Sequence, residues 1–128
     1  MANRRLNQFR FSHEPALVDV FCRIAIGAAG APTLIALQNR GVASVTRISA
    51  GRYSILLQDS YARFMHMHRS TINPAGVSAA PGTTVISESV ATLASPTVVI
   101  ECNTGGVATD PGNGEMLLIQ LVCKNSSA

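Results

Sequence analysis

The chain has 128 residues, of which 47% are hydrophobic and only 13% charged, against roughly 25% charged in an ordinary soluble domain. That length holds one domain with a core large enough to fold without disulfides or a structural metal. A net charge of +3 spread over the chain, with no tryptophan, two tyrosines and four phenylalanines, argues against a nucleic-acid groove. Residues 16–31 are apolar, but Asp19 and Arg23 interrupt them and the stretch is too short to cross a bilayer.

Residues 1–14 show no period and mix arginine with amide and aromatic side chains, which predicts an N-terminal arm ahead of a single β-rich domain over 15–128. The basic start continues as Gln8-Phe9-Arg10-Phe11, so no secretory apolar run is expected. From Leu17 to Ile26 the side chains alternate, with Val18, Val20, Cys22, Ile24 and Ile26 on one face and Asp19 and Arg23 on the other, as in a half-buried strand. The Gly27–Pro32 run breaks that pattern, and Thr33–Gln38 reads as a second strand before a turn at Asn39-Arg40-Gly41. Val42–Ser49 and Arg52–Gln58 then form a hairpin across Ala50-Gly51, where glycine supplies positive φ.

Asp59 or Ser60 is placed to cap one helical turn through Phe64. Met65–Ile72 returns to extended chain, with Met65 and Met67 expected inward and His66 and His68 outward. Asn73–Gly82 is a small-residue loop, either a partner contact or a connector. Thr84–Ala91 reads as an edge strand kept polar by Ser87, Glu88 and Ser89. A last hairpin is expected to pair Val98–Asn103 with Leu117–Lys124. About seven strands separated by turn signals predict an all-β fold, a compact jelly-roll-like sandwich or barrel.

Chemistry-bearing side chains are few. His66 and His68 share a strand face and would need a third ligand to hold a metal. Asp110, Asn113 and Glu115 offer oxygen ligands, but their spacing is that of a turn rather than a calcium loop. Cys22, Cys102 and Cys123 are odd in number, lack zinc-site spacing, and read as reduced core residues of a protein made in a reducing cytoplasm. No nucleophile elbow, phosphate loop or dinucleotide fingerprint occurs. The expectation is a non-enzymatic protein without metal or cofactor.

Several runs carry a resemblance: Gly41 followed by Ser44-Val45-Thr46-Arg47, Gly51-Arg52-Tyr53 and Leu57-Gln58-Asp59; Gln8–Pro15; Gly27–Leu34; Ser95–Val99; Ala108-Thr109-Asp110-Pro111; and Lys124–Ala128. Together they resemble small structural proteins of tailed-bacteriophage virions, of the type that decorates or cements an icosahedral head. The resemblance implies a decoration protein on the outer capsid surface, bridging major capsid proteins and associating as a homodimer or homotrimer, with no direct nucleic-acid or membrane partner. A tail or connector component is the alternative. A carbohydrate-binding β-sandwich ranks lower, because only Tyr53 and Tyr61 could serve as aromatic platforms besides the phenylalanines.

The low charged fraction fits a body that lies against a larger surface, although apolar residues scattered singly would give the same composition. Arg4, Arg5, Phe9, Arg10 and Phe11 of the arm are the expected capsid or subunit contacts, supplying guanidinium forks and aromatic anchors. Charge is unevenly placed: nine arginines precede Ile72 with three acids, whereas Lys124 and four acids follow it. Copies are therefore expected to meet neighbours of opposite sign.

Overall fold

The computed structural model describes residues 17–125, so the arm and its contact candidates Arg4, Arg5, Phe9, Arg10 and Phe11 lie outside the described residues. Within that range the chain forms nine strands: β1 (Leu17–Ile26), β2 (Pro32–Leu34), β3 (Val42–Ser49), β4 (Arg52–Leu57), β5 (Arg63–Ile72), β6 (Gly82–Glu88), β7 (Thr97–Thr104), β8 (Val107–Ala108) and β9 (Met116–Lys124). They build two antiparallel sheets packed face to face. The first has the order β2-β1-β9-β5, and the second the order β3-β4-β7-β6 with β8 beside β7.

Alternation makes the core. Val20, Cys22, Ile24 and Ile26 of β1 and Leu117, Ile119, Leu121 and Cys123 of β9 line the inner face of the first sheet. Tyr53, Ile55 and Leu57 of β4 and Val98, Ile100 and Cys102 of β7 line that of the second. Burying each such aliphatic side chain is worth about 1.5–3 kcal/mol. Flanking residues Val18, Leu34, Val45, Phe64, Met67 and Val85 close the core at its margins. The three cysteines are free and buried, and burial pushes the Cys22 thiol up to about 12 and that of Cys123 up to about 11.

The hairpin expected between Val98–Asn103 and Leu117–Lys124 does not exist: β7 and β9 lie in opposite sheets and meet through their inner faces. Alternation identifies a buried face but not a hydrogen-bonding neighbour, and β9 finds both of its neighbours, β1 and β5, far upstream. The second strand is shorter than Thr33–Gln38. After Leu34 the chain turns in a 3-10 segment at Ala36–Gln38, closed by the Gln38 N–H donating to Ile35 O. A second 3-10 turn covers Ala28–Gly30.

No helical turn forms from Asp59 to Phe64. Tyr61 is buried with its N–H donating to Val90 O, and Arg63 already pairs with Lys124, so burial and sheet pairing override the local cap. The polar edge strand starts and ends earlier than Thr84–Ala91, as β6, and does lie at a sheet edge.

The long edge strands share a feature that the central pairings lack. Register shifts fall at Ala43 and Ile48 in β3, Met65 in β5 and Ile86 in β6, whereas β1–β9 and β4–β7 run without interruption. The Met65 bulge turns that side chain to solvent, contrary to the inward placement expected for it, while Met67 does pack on the core. Bulges twist an edge away from further pairing.

Truncating a side chain at the centre of this core, Ile100→Ala or Leu121→Ala, should cost about 2–5 kcal/mol. Leu37→Ala, at a residue 98% exposed, should stay within about 0.5 kcal/mol. Urea midpoints at unchanged m-value check both.

Candidate interaction surface

Arg47, Tyr53 and Asp110, polar residues of the motifs that the sequence singles out, meet at one end of the sandwich, where they tie loops together. Asp110, between β8 and β9, accepts two hydrogen bonds from Arg47 of β3, Nε to Oδ1 at 3.0 Å and Nη2 to Oδ2 at 2.7 Å. Its Oδ1 also accepts from the Gly51 N–H at 2.8 Å. Tyr53 donates its hydroxyl proton to Gly30 O at 2.8 Å and stands 3.4 Å from the same Oδ1. The motifs around Gly27–Gly30, Ser44–Arg47, Gly51–Tyr53 and Ala108–Pro111 therefore converge on one carboxylate.

Both glycines are needed there. Gly30 has φ +73°, and a Cβ on it would lie 2.5 Å from Asp110 Cγ; Gly51 has φ +71°, and its Cβ would lie 2.5 Å from Cys102 O. The Arg47 hydrogen bonds, with the Gly51 N–H, hold the Asp110 carboxyl below its ordinary value despite partial desolvation. Burial pushes the Tyr53 phenol up, and the Asp110 charge adds to it.

A second carboxylate ties the neighbouring loop. Glu115, 1% exposed, accepts from Ser78 Oγ at 2.5 Å, from the Ala79 N–H at 3.0 Å and from the Gly112 N–H. Desolvation pushes its carboxyl up, but these donors and the Arg69 charge outweigh that and leave it below the usual carboxylate range. Asp110 and Glu115 thus serve separate loops and do not converge on a cation. The loop over Asn73–Gly82 is anchored through residues 78–80. Glu115 stands out in the sequence only as an oxygen-ligand candidate, and its role as a loop tie is hidden because Asp-Pro-Gly-Asn-Gly-Glu has the composition of any turn. The signal available was its place, one residue ahead of a fully alternating strand.

His66 and His68 do share the outer face of β5, opposite Val122 and Gln120 of β9. Among the described residues no group of three or more histidine, cysteine, aspartate or glutamate side chains is placed to hold a metal ion. No helix among them is long and apolar enough to cross a membrane.

The two outer sheet faces differ. On the second sheet, Ser44, Thr46, Ser54, Thr84, Ser87 and Thr97 stand beside Leu56 and Val99, and Arg52 pairs with Glu101 at 2.9 Å. On the first sheet, cross-strand rows run Phe21–Gln120–His68, Arg23–Leu118–Ser70 and Ala25–Met116–Ile72. A depression of about 230 Å³ opens there, lined by Phe21, Arg23, Leu118, His68, Ser70 and Gln38 among others. Arg23 lies across it, donating from Nε and Nη2 to Met116 Sδ at 3.1 and 2.8 Å.

By architecture the described residues form an antiparallel β-sandwich, and the outer face of its first sheet sets Phe21, Leu118 and Ile72 beside Arg23, Arg63 and Asp19. No family model, curated protein or solved structure matches the chain.

Two outcomes check the role of the loop knot. Asp110 titrates lower in the folded than in the unfolded chain, so its contribution is whole above about pH 4 and disappears as pH falls through the folded value. The stability gap between wild type and Asp110→Asn should therefore be constant from about pH 5 to 8 and close in acid, read from urea midpoints across pH. Gly51→Ala should destabilise more than Gly105→Ala, because both have positive φ but a Cβ at Gly105 meets nothing within 4 Å. The excess should be about 1–3 kcal/mol, read by thermal unfolding.

Proposed function

We propose that this chain is a non-enzymatic structural protein of a tailed-phage virion, a decoration protein that binds the outer head surface and bridges adjacent major capsid proteins. The observation that carries this reading is how its polar side chains are used. Those in the phage-like motifs hold loops to one another, as Arg47, Asp110 and Tyr53 do, instead of lining a cavity. A depression among the described residues sits on an open sheet face, the form of a docking surface rather than a reaction pocket.

Bulged edges also fit a protein that associates through faces and not by adding strands. Residues 1–14 remain the first candidate for a second point of contact, with Arg4, Arg5, Phe9, Arg10 and Phe11 as its anchors. A dimer or trimer over a symmetry axis would engage several capsid subunits at once, and effective concentration would turn modest contacts into high occupancy. Binding the assembled shell but not free subunits would stabilise the shell by about 2.7 kcal/mol per site at a hundredfold excess over Kd.

Adding the purified protein to heads stripped of it should restore on the order of hundreds of copies per particle, counted by quantitative mass spectrometry. Removing residues 1–14 should lower that occupancy with the β-sandwich still folded by circular dichroism. A handful of copies confined to the tail would move the protein there, and failure to rebind any part of the particle would overturn the reading.

A further inference from the structure

Building on the shell-binding reading above, we propose that the outer face of the β1–β9–β5 sheet is the docking surface, and that it receives an acidic protein segment with apolar flanks whose carboxylate is taken by Arg23. Arg23 has the geometry of a receptor lacking its proper acceptor. Its guanidinium is half-buried on the sheet, and the contacts of Nε and Nη2 are both to the thioether of Met116. A thioether sulfur is a weak acceptor, whereas the same planar fork grips a carboxylate with two strong charge-assisted bonds. Phe21, 40% exposed, and Leu118 give the apolar floor beside it. His68, Ser70 and Gln38 supply the polar rim. An apolar centre with a polar rim is the usual build of a protein–protein contact.

Charge selects among the occupants that the chain itself suggests. Residues 1–16 carry Arg4, Arg5 and Arg10 against Glu14, so that segment has the same sign as the face. A second copy offers no uncommitted acidic sheet face: Glu101 is paired with Arg52, Asp110 and Glu115 are engaged in loops, Glu88 accepts from the Val90 N–H, and Asp19, which stands on the outer face of the first sheet opposite Val122, is itself engaged. Arg63 and His66 also stand on the face toward its other end. A separate, negatively charged protein surface is what complements it.

The face is tested on the full-length protein with a synthetic peptide alternating glutamate and leucine, followed by amide chemical shifts. Single-stranded oligothymidylate of equal charge runs in parallel. Shifts should concentrate at Phe21, Arg23 and Leu118, and Arg23→Glu should weaken the peptide by about tenfold or more. Thr46→Glu, on the outer face of the other sheet, should bind as wild type. His68→Glu replaces Arg23→Glu if the latter lowers the unfolding midpoint. Shifts on the other sheet, no shifts at millimolar peptide, or tighter binding of the oligonucleotide would overturn the assignment. On stripped heads, equal occupancy by wild type and Arg23→Glu overturns the face and leaves the shell reading standing. Heads that take up no wild-type protein overturn the shell reading, and the peptide titration alone then decides the face.

Discussion

The Asp110 carboxylate is the constraint on which the end of the sandwich depends. Three loops that are far apart in sequence, following β1, joining β3 to β4, and leading into β9, close around it. Two belong to strands of the first sheet and one to the second, so the contact sets how the two sheets sit on each other. A carboxylate can do this because it accepts several donors at once and is strengthened by the guanidinium fork. The arrangement demands glycine at two places, Gly30 where the carboxylate presses against the backbone and Gly51 where the chain needs positive φ and has carbonyl oxygen and amide nitrogen packed against it. Tyr53 completes the closure by spending its one proton on Gly30 O from inside the core.

The same contact changes how the charge asymmetry of the sequence is to be understood. A basic first half and an acidic second half suggest copies that meet through opposite signs. In the fold, Arg47 reaches Asp110 and Arg52 reaches Glu101, so a large part of that complementarity is satisfied within one chain. Glu115 is withdrawn into the interior by the backbone and hydroxyl groups that cap it. Arg23 and Arg63 are paired with neither of these acids and lie on the outer face of the first sheet.

Strand character was legible in the sequence wherever one face is buried. Val20 to Ile26, Tyr53 to Leu57, Val98 to Cys102 and Leu117 to Cys123 alternate without a break, and each lies on the inner face of the sandwich. What alternation could not convey is partnership: β7 and β9 have matching patterns because they face each other across the core, not because they share hydrogen bonds. The Asp59–Phe64 segment misleads for a related reason, since a local cap is worth little against the burial of Tyr61 and the pairing of Arg63 with Lys124. Arg47, Tyr53 and Asp110 stood out as motif residues, but nothing in their spacing says that they touch. Arg23 was legible as an outward residue of its strand, but its company with Leu118 and Met116 was not, because β1 and β9 lie far apart in sequence.

Edges and faces divide the remaining work. An exposed strand edge invites pairing with any extended chain, and a protein present in many copies would meet that hazard at every collision. The long edges of this sandwich are interrupted where Ala43, Ile48, Met65 and Ile86 bulge out, and the remaining edge strand of the first sheet, β2, is only three residues long. Broad contact is thereby directed to the sheet faces. Of the two, the serine- and threonine-rich face has Arg52 and Glu101 paired with each other and carries Leu56 and Val99 among its hydroxyl side chains. The opposite face combines exposed aromatic and aliphatic surface with a guanidinium held on a poor acceptor, and such a surface gains from being covered. On the shell-binding proposal, a body with interrupted edges and two unlike faces would bind in a single orientation, which a protein sitting the same way at every lattice position would require.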